Sequence, residues 1–257
     1  MRALWKGSIG FGLVNIPVSL YSATEESTLS FVSLDKKTKS RIRYKKVSES
    51  SGKEVSNDDI LKAYEVNGHM VTVEEEDFEK ALPTKKDHID IVQFVKEAEI
   101  DALYYEKPYY LAPEKGGDRA YALLREALRK EGKAALGLFV FHKREWVCLL
   151  KPKDAFLVMH RLRFAEEIRD TRGLAAPDVA VKSEEIKMAS SLISQLTKPF
   201  KPDQFKDEYS EKLLKVITAK AKGKSPAFKQ MKVVHNTTTE DLMAKLKASL
   251  KPAKKAS

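Results

Sequence analysis

Between Lys36 and Lys46 the chain reads KKTKSRIRYKK, and its cations fall in a pattern that could hold a row of phosphates. Lys37, Lys39, Arg41, Arg43 and Lys45 all occupy odd positions. On a β-strand successive side chains alternate between faces, so the five would project from one side. At roughly 3.3 Å per residue they would form a row about 26 Å long, approaching one turn of B-form DNA at about 34–36 Å. Such a row repels itself on a sheet. A duplex carrying about one negative charge per 1.7 Å of axis would relieve the repulsion and release counterions. A solvated, lysine-rich edge strand that resists aggregation fits the same residues, and on this segment alone both readings stand. No recognition-helix pattern or zinc finger accompanies the row, so the expected contact is with the nucleic-acid backbone rather than with bases.

Other reactive residue types do not combine into a site. Glu74-Glu75-Glu76-Asp77 reads as a solvated helix start. Asp87-His88-Ile89-Asp90 imitates part of a two-metal nuclease, but no further carboxylate set is evident. Cys148 lies in the apolar string WVCLL and is expected to be a buried, inert thiol. His142 beside Lys143 and Arg144 fits a charged loop better than a general base. The GSIGFG string has neither the dinucleotide-loop nor the Walker spacing, and no serine elbow or HExxH is visible. The pattern favours binding without chemistry, with no metal or cofactor. Two alternatives remain. One is a metal-dependent nuclease that processes DNA ends with the acidic segment. The other is a single-strand or RNA-binding module stacking bases on Tyr44, Tyr104 and Tyr105.

The distribution of charge supports a polyanionic partner. The 257 residues carry 47 Lys and Arg against 37 Asp and Glu, a net charge of +10. Residues 36–53 hold eight basic side chains and one acidic, whereas residues 54–114 hold six basic and sixteen acidic. Residues 1–181 as a whole have a net charge of only +1, and residues 182–257 carry +9. Concentrating cations beside an acidic remainder directs a polyanion to one surface and repels it elsewhere. With 42% hydrophobic residues the chain can bury a sizeable core. One cysteine rules out an intrachain disulfide framework. The longest apolar run, Ala134 to Phe141, is too short to cross a bilayer, and Lys6, Asn15 and Pro17 break any signal-like stretch. A cytoplasmic, nucleoid-associated protein is expected.

The elements that must position these residues read as mainly β with embedded helices, an α+β body. Residues 1–21 favour β-structure, with Gly10 and Gly12 at bulges or close contacts and Pro17 at an edge. Residues 28–48 read as one or two long strands, Ser50 to Gly52 as a turn, and Asn57 to Tyr64 as a short helix. Gly68 closes a hairpin, Glu74 to Leu82 forms an acidic helix, and 88–95 and 103–110 are strands. Ala120, Leu123, Leu124, Ala127 and Leu128 define a helix from Asp118, its expected cap, to Glu131, stopped by Gly132. Strands follow at 134–141, 146–150 and 155–164. Ser183 then caps a helix through Leu196 with Ile186, Ile193 and Leu196 on one side, and another helix spans 207–222. The expected organisation is a core at 1–181, a helical arm at 182–222 and a basic tail at 223–257. In the tail, Leu242, Met243, Leu246 and Leu250 form a helical stripe that could dock on a partner or lie on DNA, or belong to a solvated disordered segment.

Four segments resemble the prokaryotic Ku family: LWKGSIGFGLVNIPVSLYSA at 3–22, SRIRYKKV at 40–47, EIDALYYEKPYYLAPEKGGDRAYALLREAL at 99–128 and FKDEYSEKLL at 205–214. The resemblance implies a non-enzymatic homodimer whose β-barrel cores and long projecting strands form a ring that threads onto double-stranded DNA ends. It also implies recruitment of the ATP-dependent ligase of bacterial non-homologous end joining, chiefly through the C-terminal region, where Leu242, Met243, Leu246 and Leu250 are the candidates. The stretch from Lys36 to Lys46 matches the strand facing the DNA channel, which adds Lys36 and Lys46 to the five-residue row, and Lys143 and Arg144 resemble a basic turn near that channel. Many relatives carry cysteines around SRIRY; this chain has none there, so no metal is implied. The resemblance starts with the core, and no counterpart of the N-terminal partner-binding domain of eukaryotic relatives is expected.

Overall fold

The computed structural model describes residues 1–81, 87–224, 245, 246, 248 and 249. The chain divides into two compact units, Met1–Thr171 and Arg172–Ser257. The first is built on β1 (Trp5–Phe11), β2 (Val14–Ser22), β5 (His88–Val95), β6 (Tyr105–Pro113), β7 (Ala134–Phe141), β8 (Arg144–Lys153) and β9 (Phe156–Leu162). These close into a barrel in the order β1-β2-β6-β9-β8-β7-β5. All neighbours are antiparallel except β1 and β5, which pair in parallel over only Ser8–Gly10 and His88–Asp90. At this seam the ring of His88 lies over Gly10, where a Cβ would come within 2.1 Å of Nε2, so any larger residue would force the His88 ring to move.

Period-two alternation turns Ile9, Ile16, Val18, Leu20, Ile89, Leu111, Leu150, Leu157 and Met159 into the barrel core, all with no exposed surface. Cys148 is buried among them, and desolvation pushes its thiol far above its ordinary range, as an inert cysteine requires. Helix α2 (Asp118–Glu131) buries Tyr121, Leu124 and Leu128 against this core. The Tyr121 hydroxyl donates to the Leu111 carbonyl at 2.6 Å and accepts from the Leu157 N–H at 2.6 Å, bridging two paired strands. Arg129 donates to the Asp154 carbonyl at 2.6 Å, and Arg125 reaches the Ala155 carbonyl, so α2 lies at the β8–β9 turn. Asp118 does not cap α2: Gly117 holds the N-cap position, while Gly132 ends the helix at φ +59° as expected. A smaller cluster of Ala134, Leu149 and Leu162 packs under Val95, Ile100, Tyr104 and Tyr105.

Between β2 and β5 lie β3 (Lys62–Val66), β4 (His69–Val73) and helix α1 (Glu75–Ala81). The helix expected at 57–64 is instead a single 3-10 turn, Asn57–Asp59, followed by β3. Asn67 and Gly68 adopt φ of +51° and +81°, the geometry of a tight two-residue hairpin, and that turn draws 62–66 into antiparallel pairing with 69–73. The long strands expected at 28–48 are also replaced. Asp35 accepts hydrogen bonds from the Lys37 N–H (2.8 Å), the Thr38 N–H (2.5 Å) and the Thr38 hydroxyl (2.8 Å), and Lys39 sits at φ +59°. This local turn reverses the chain, leaving isolated bridges from Leu34 to Arg41 and from Val47 to Glu54.

In the second unit, α3 spans Ser183–Leu196 and α4 spans Glu208–Ala221, with the Asp207 side chain capping α4 by accepting from the Ser210 N–H at 3.0 Å. The half-buried face of α3 carries Glu185, Met188, Ala189 and Leu192. The expected stripe of Ile186, Ile193 and Leu196 is exposed. Among the described residues, no helix is long and apolar enough to cross a membrane.

Candidate nucleic-acid interface

The barrel register places one end of the first unit at the centre of the site. Strand β2 runs toward the end of the barrel at which β6 begins, stopping with Ser22 opposite Tyr109 in mid-β6, and β5 starts beside β1 and the end of β7. The chain therefore leaves the barrel at Ser22 and re-enters at His88 on the same end. The β7–β8 turn lies there too, formed by His142 and Lys143 at φ of +52° and +61°. An ion pair between Lys143 and Glu75 of α1 ties this turn to the excursion. The excursion that carries one basic segment and the turn that carries the other thus start from one end of the barrel, the end opposite α2.

All nine candidate cations of the first unit, Lys36, Lys37, Lys39, Arg41, Arg43, Lys45, Lys46, Lys143 and Arg144, are exposed. Their arrangement differs from a single row. Lys36, Lys37 and Lys39 sit on the Asp35 turn, where the positive φ of Lys39 breaks the period-two alternation. Arg41, Arg43 and Lys45 keep alternate spacing in the segment between the Arg41 and Val47 bridges. Lys45 pairs with Glu54 at 2.6 Å, and Lys46 donates to Asn57 Oδ1 at 2.9 Å. Lys36, Lys37, Lys39, Arg41 and Arg43 have no carboxylate within ion-pair distance among the described residues.

Arg144 is held more firmly than its neighbours. Its guanidinium lies 4.2 Å from the Trp146 ring centroid and pairs with Glu167 at 3.0 Å. The Arg161 guanidinium lies 3.9 Å from the same centroid and makes a two-point contact with Glu106. Trp146 itself donates to the Phe141 carbonyl at 3.2 Å. Glu167 also accepts from the Phe164 N–H at 2.8 Å; that backbone donor, and then Arg144, hold its carboxyl below the ordinary range. Sequence patterns alone do not reveal Trp146, Arg161, Glu106 and Glu167, because the first three meet through the β8–β9 and β6–β9 registers and Glu167 reaches Arg144 from the 3-10 turn after β9.

Charge changes sign along the excursion. After the basic stretch, residues 54–81 carry nine acidic and two basic side chains. The same excursion leaves apolar side chains uncovered, with Phe31, Tyr44, Tyr64 and Met70 between 67% and 88% exposed. Tyr104 and Tyr105 are by contrast packed against the smaller cluster, and Tyr105 meets His160 edge-on at 5.1 Å, so no stacking platform unites them with Tyr44.

Asp87, His88 and Asp90 lie at the parallel seam, where Ser8 Oγ and His88 Nδ1 are 3.0 Å apart. Among the described residues no group of three or more His, Cys, Asp or Glu is placed to hold a metal ion. In the tail, Leu246 is in helical conformation and half-buried. Leu242, Met243 and Leu250 lie outside the described residues.

Comparison with known proteins gives a consistent result. The family described as the Ku70/Ku80 beta-barrel domain matches residues 10–188. A protein named "Non-homologous end joining protein Ku" from Coxiella burnetii is 36% identical over 99% of this chain and 96% of its own length. Proteins of the same name from Archaeoglobus fulgidus and Pseudomonas aeruginosa are 38% and 36% identical, over 99% and 97% of this chain and 100% and 88% of their own lengths.

Proposed function

We propose that this chain, which belongs to the Ku family, binds double-stranded DNA ends in non-homologous end joining as a homodimer that encircles the duplex. The observation that carries this reading is the excursion between Ser22 and His88. It springs from one barrel end, exposes its cations, and leaves a set of apolar side chains uncovered among the described residues. Uncovered apolar surface of this kind marks an interaction face. A second copy meeting it would place two cationic segments around one polyanion, as closed two-fold symmetry requires of an isologous dimer. The nine cations supply phosphate contacts, and the β-turn positions of Lys36, Lys37, Lys39 and Lys143 offer ammonium groups without base-reading geometry, so binding is sequence-independent.

The Ku role is binding and recruitment rather than catalysis. We assign Leu242, Met243, Leu246 and Leu250 to docking the ATP-dependent ligase that seals the break, since a short apolar stripe in a basic segment suits coupled folding and binding. A topological test separates encirclement from surface binding. Protein loaded on linear duplex that is then ligated into a circle should stay bound in high salt, because a closed ring cannot leave a closed DNA. Release at the salt that strips it from linear DNA would overturn the ring.

A further inference from the structure

Resting on the DNA reading above, we infer that Glu54, Glu75 and Glu167 are competitor carboxylates that occupy DNA-binding cations in the free protein and set how readily a polyanion displaces them. Three of the nine candidate cations are paired within the chain: Lys45 with Glu54 at 2.6 Å, Lys143 with Glu75, and Arg144 with Glu167 at 3.0 Å. The three carboxylates come from three different places: the second turn of the basic segment, the first turn of α1, and the 3-10 turn Ala165–Glu167 after β9. Each therefore stands where a phosphate oxygen would stand.

The geometry favours exchange over permanent burial. The paired side chains are exposed, with Lys143 and Glu75 at 55% and 61%, and Lys45 and Glu54 at 69% and 55%. An exposed ion pair is worth little in water and is screened by salt, so a duplex phosphate can replace it. Arg144 shows how the exchange would run. Its guanidinium stays against Trp146 while one carboxylate ligand gives way to another anion, so the donor is preorganised before DNA arrives. Glu167 keeps its bond from the Phe164 N–H whether or not Arg144 remains. A weak or isolated anion displaces one carboxylate at best. A duplex meets all three pairs together, and this raises the threshold for adventitious anions more than for the substrate.

The test is a set of charge-neutral, near-isosteric variants of the full chain: Glu54→Gln, Glu75→Gln, Glu167→Gln and the triple. Binding to a fluorescent linear duplex would be read by anisotropy over a salt series. Each single variant should bind about two- to five-fold more tightly at low salt, the scale of an exposed ion pair, and the triple roughly tenfold or more. The gain should fade as salt rises, making the triple's plot of log affinity against log salt steeper than that of the unaltered chain. In Glu167→Gln the side-chain amide oxygen can still accept from the Phe164 N–H, so the turn should survive; far-UV circular dichroism and the denaturation midpoint check this.

Two comparisons separate competition from a general loss of negative charge. Glu74→Gln removes one charge next to the Lys143–Glu75 pair and should gain little, and Glu75→Gln should gain nothing in a Lys143→Gln background. Equal gains from Glu74→Gln and Glu75→Gln, or unchanged affinity in the triple while duplex binding persists, would overturn the inference. Failure of the unaltered chain to bind duplex would overturn the DNA reading and this inference with it.

Discussion

Replacing Lys39, Arg41 and Arg43 together with glutamine should change the salt dependence of duplex binding by an amount set in advance. The three are suited to this because they are exposed and have no carboxylate in ion-pair distance among the described residues, so their loss breaks no salt bridge of the fold. Lys39 lies on the Asp35 turn, and Arg41 and Arg43 follow in the bridged segment, so the substitution samples both halves of the basic excursion. Each phosphate neutralised contributes about 0.9 to the slope of log affinity against log salt, and losing three contacts lowers its magnitude by about 2.7. Over a fourfold change of salt, from about 50 to 200 mM, the affinity advantage of the unaltered chain should therefore shrink about 40-fold. The loss should be equal on duplexes of unrelated sequence, because phosphates carry no sequence information. Anisotropy titrations at several salt concentrations measure the slope, and urea denaturation should show a stability change within about 0.5 kcal/mol, as for surface substitutions. Parallel salt plots of equal affinity would refute the assignment. A loss confined to certain sequences would refute backbone recognition.

Further expectations follow from other parts of the molecule. Tyr121→Phe removes the hydroxyl bridging the Leu111 carbonyl and the Leu157 N–H; it should cost about 1–3 kcal/mol in chemical denaturation and leave DNA affinity unchanged. Burial, and then Lys151, lower the pKa of His160 from its ordinary 6.5. The unfolded chain thus binds the extra proton first, so the contribution of His160 to stability should be constant above about pH 6.5 and fall as pH drops from there toward the folded pKa. His160→Gln should remove that part of the slope in denaturation midpoints measured across the range. Deleting residues 223–257 should weaken ligase stimulation more than end binding in paired assays, and unchanged stimulation would take the docking role away from the Leu242–Leu250 stripe.

The elements legible in the sequence were those governed by local rules. Helix α2 and its stop at Gly132 appear in the structure, but of its expected apolar face Leu124 and Leu128 are buried, Leu123 and Ala127 are exposed, and Tyr121 joins the core in their place. Strand β7, the Asn67-Gly68 hairpin and the Ser50–Gly52 turn likewise follow from short patterns. The family resemblance implies the barrel and the structure has it, but residue patterns alone do not show its closure, which depends on three parallel pairs between segments eighty residues apart that leave no periodic trace. Alternation predicts a row of five cations, and the Asp35 side chain overrides it by accepting hydrogen bonds from the backbone N–H groups two and three residues on. On α3 apolar residues occupy both sides, so periodicity could not choose between the exposed Ile186 stripe and the half-buried face with Met188 and Leu192. The basic composition of the site was visible at once. The resemblance adds Lys143 and Arg144 to it, whereas the carboxylates that hold them, Glu75 and Glu167, required the fold.

The central claim is that a ring of two copies needs a DNA end. Its most direct test is to compare binding to a linear duplex with binding to the same DNA as a covalently closed, relaxed circle, at one salt concentration and equal mass. The account predicts stable complexes on the linear form and almost none on the circle, with binding restored when the circle is cut once. Equal occupancy of the linear and closed forms would contradict it.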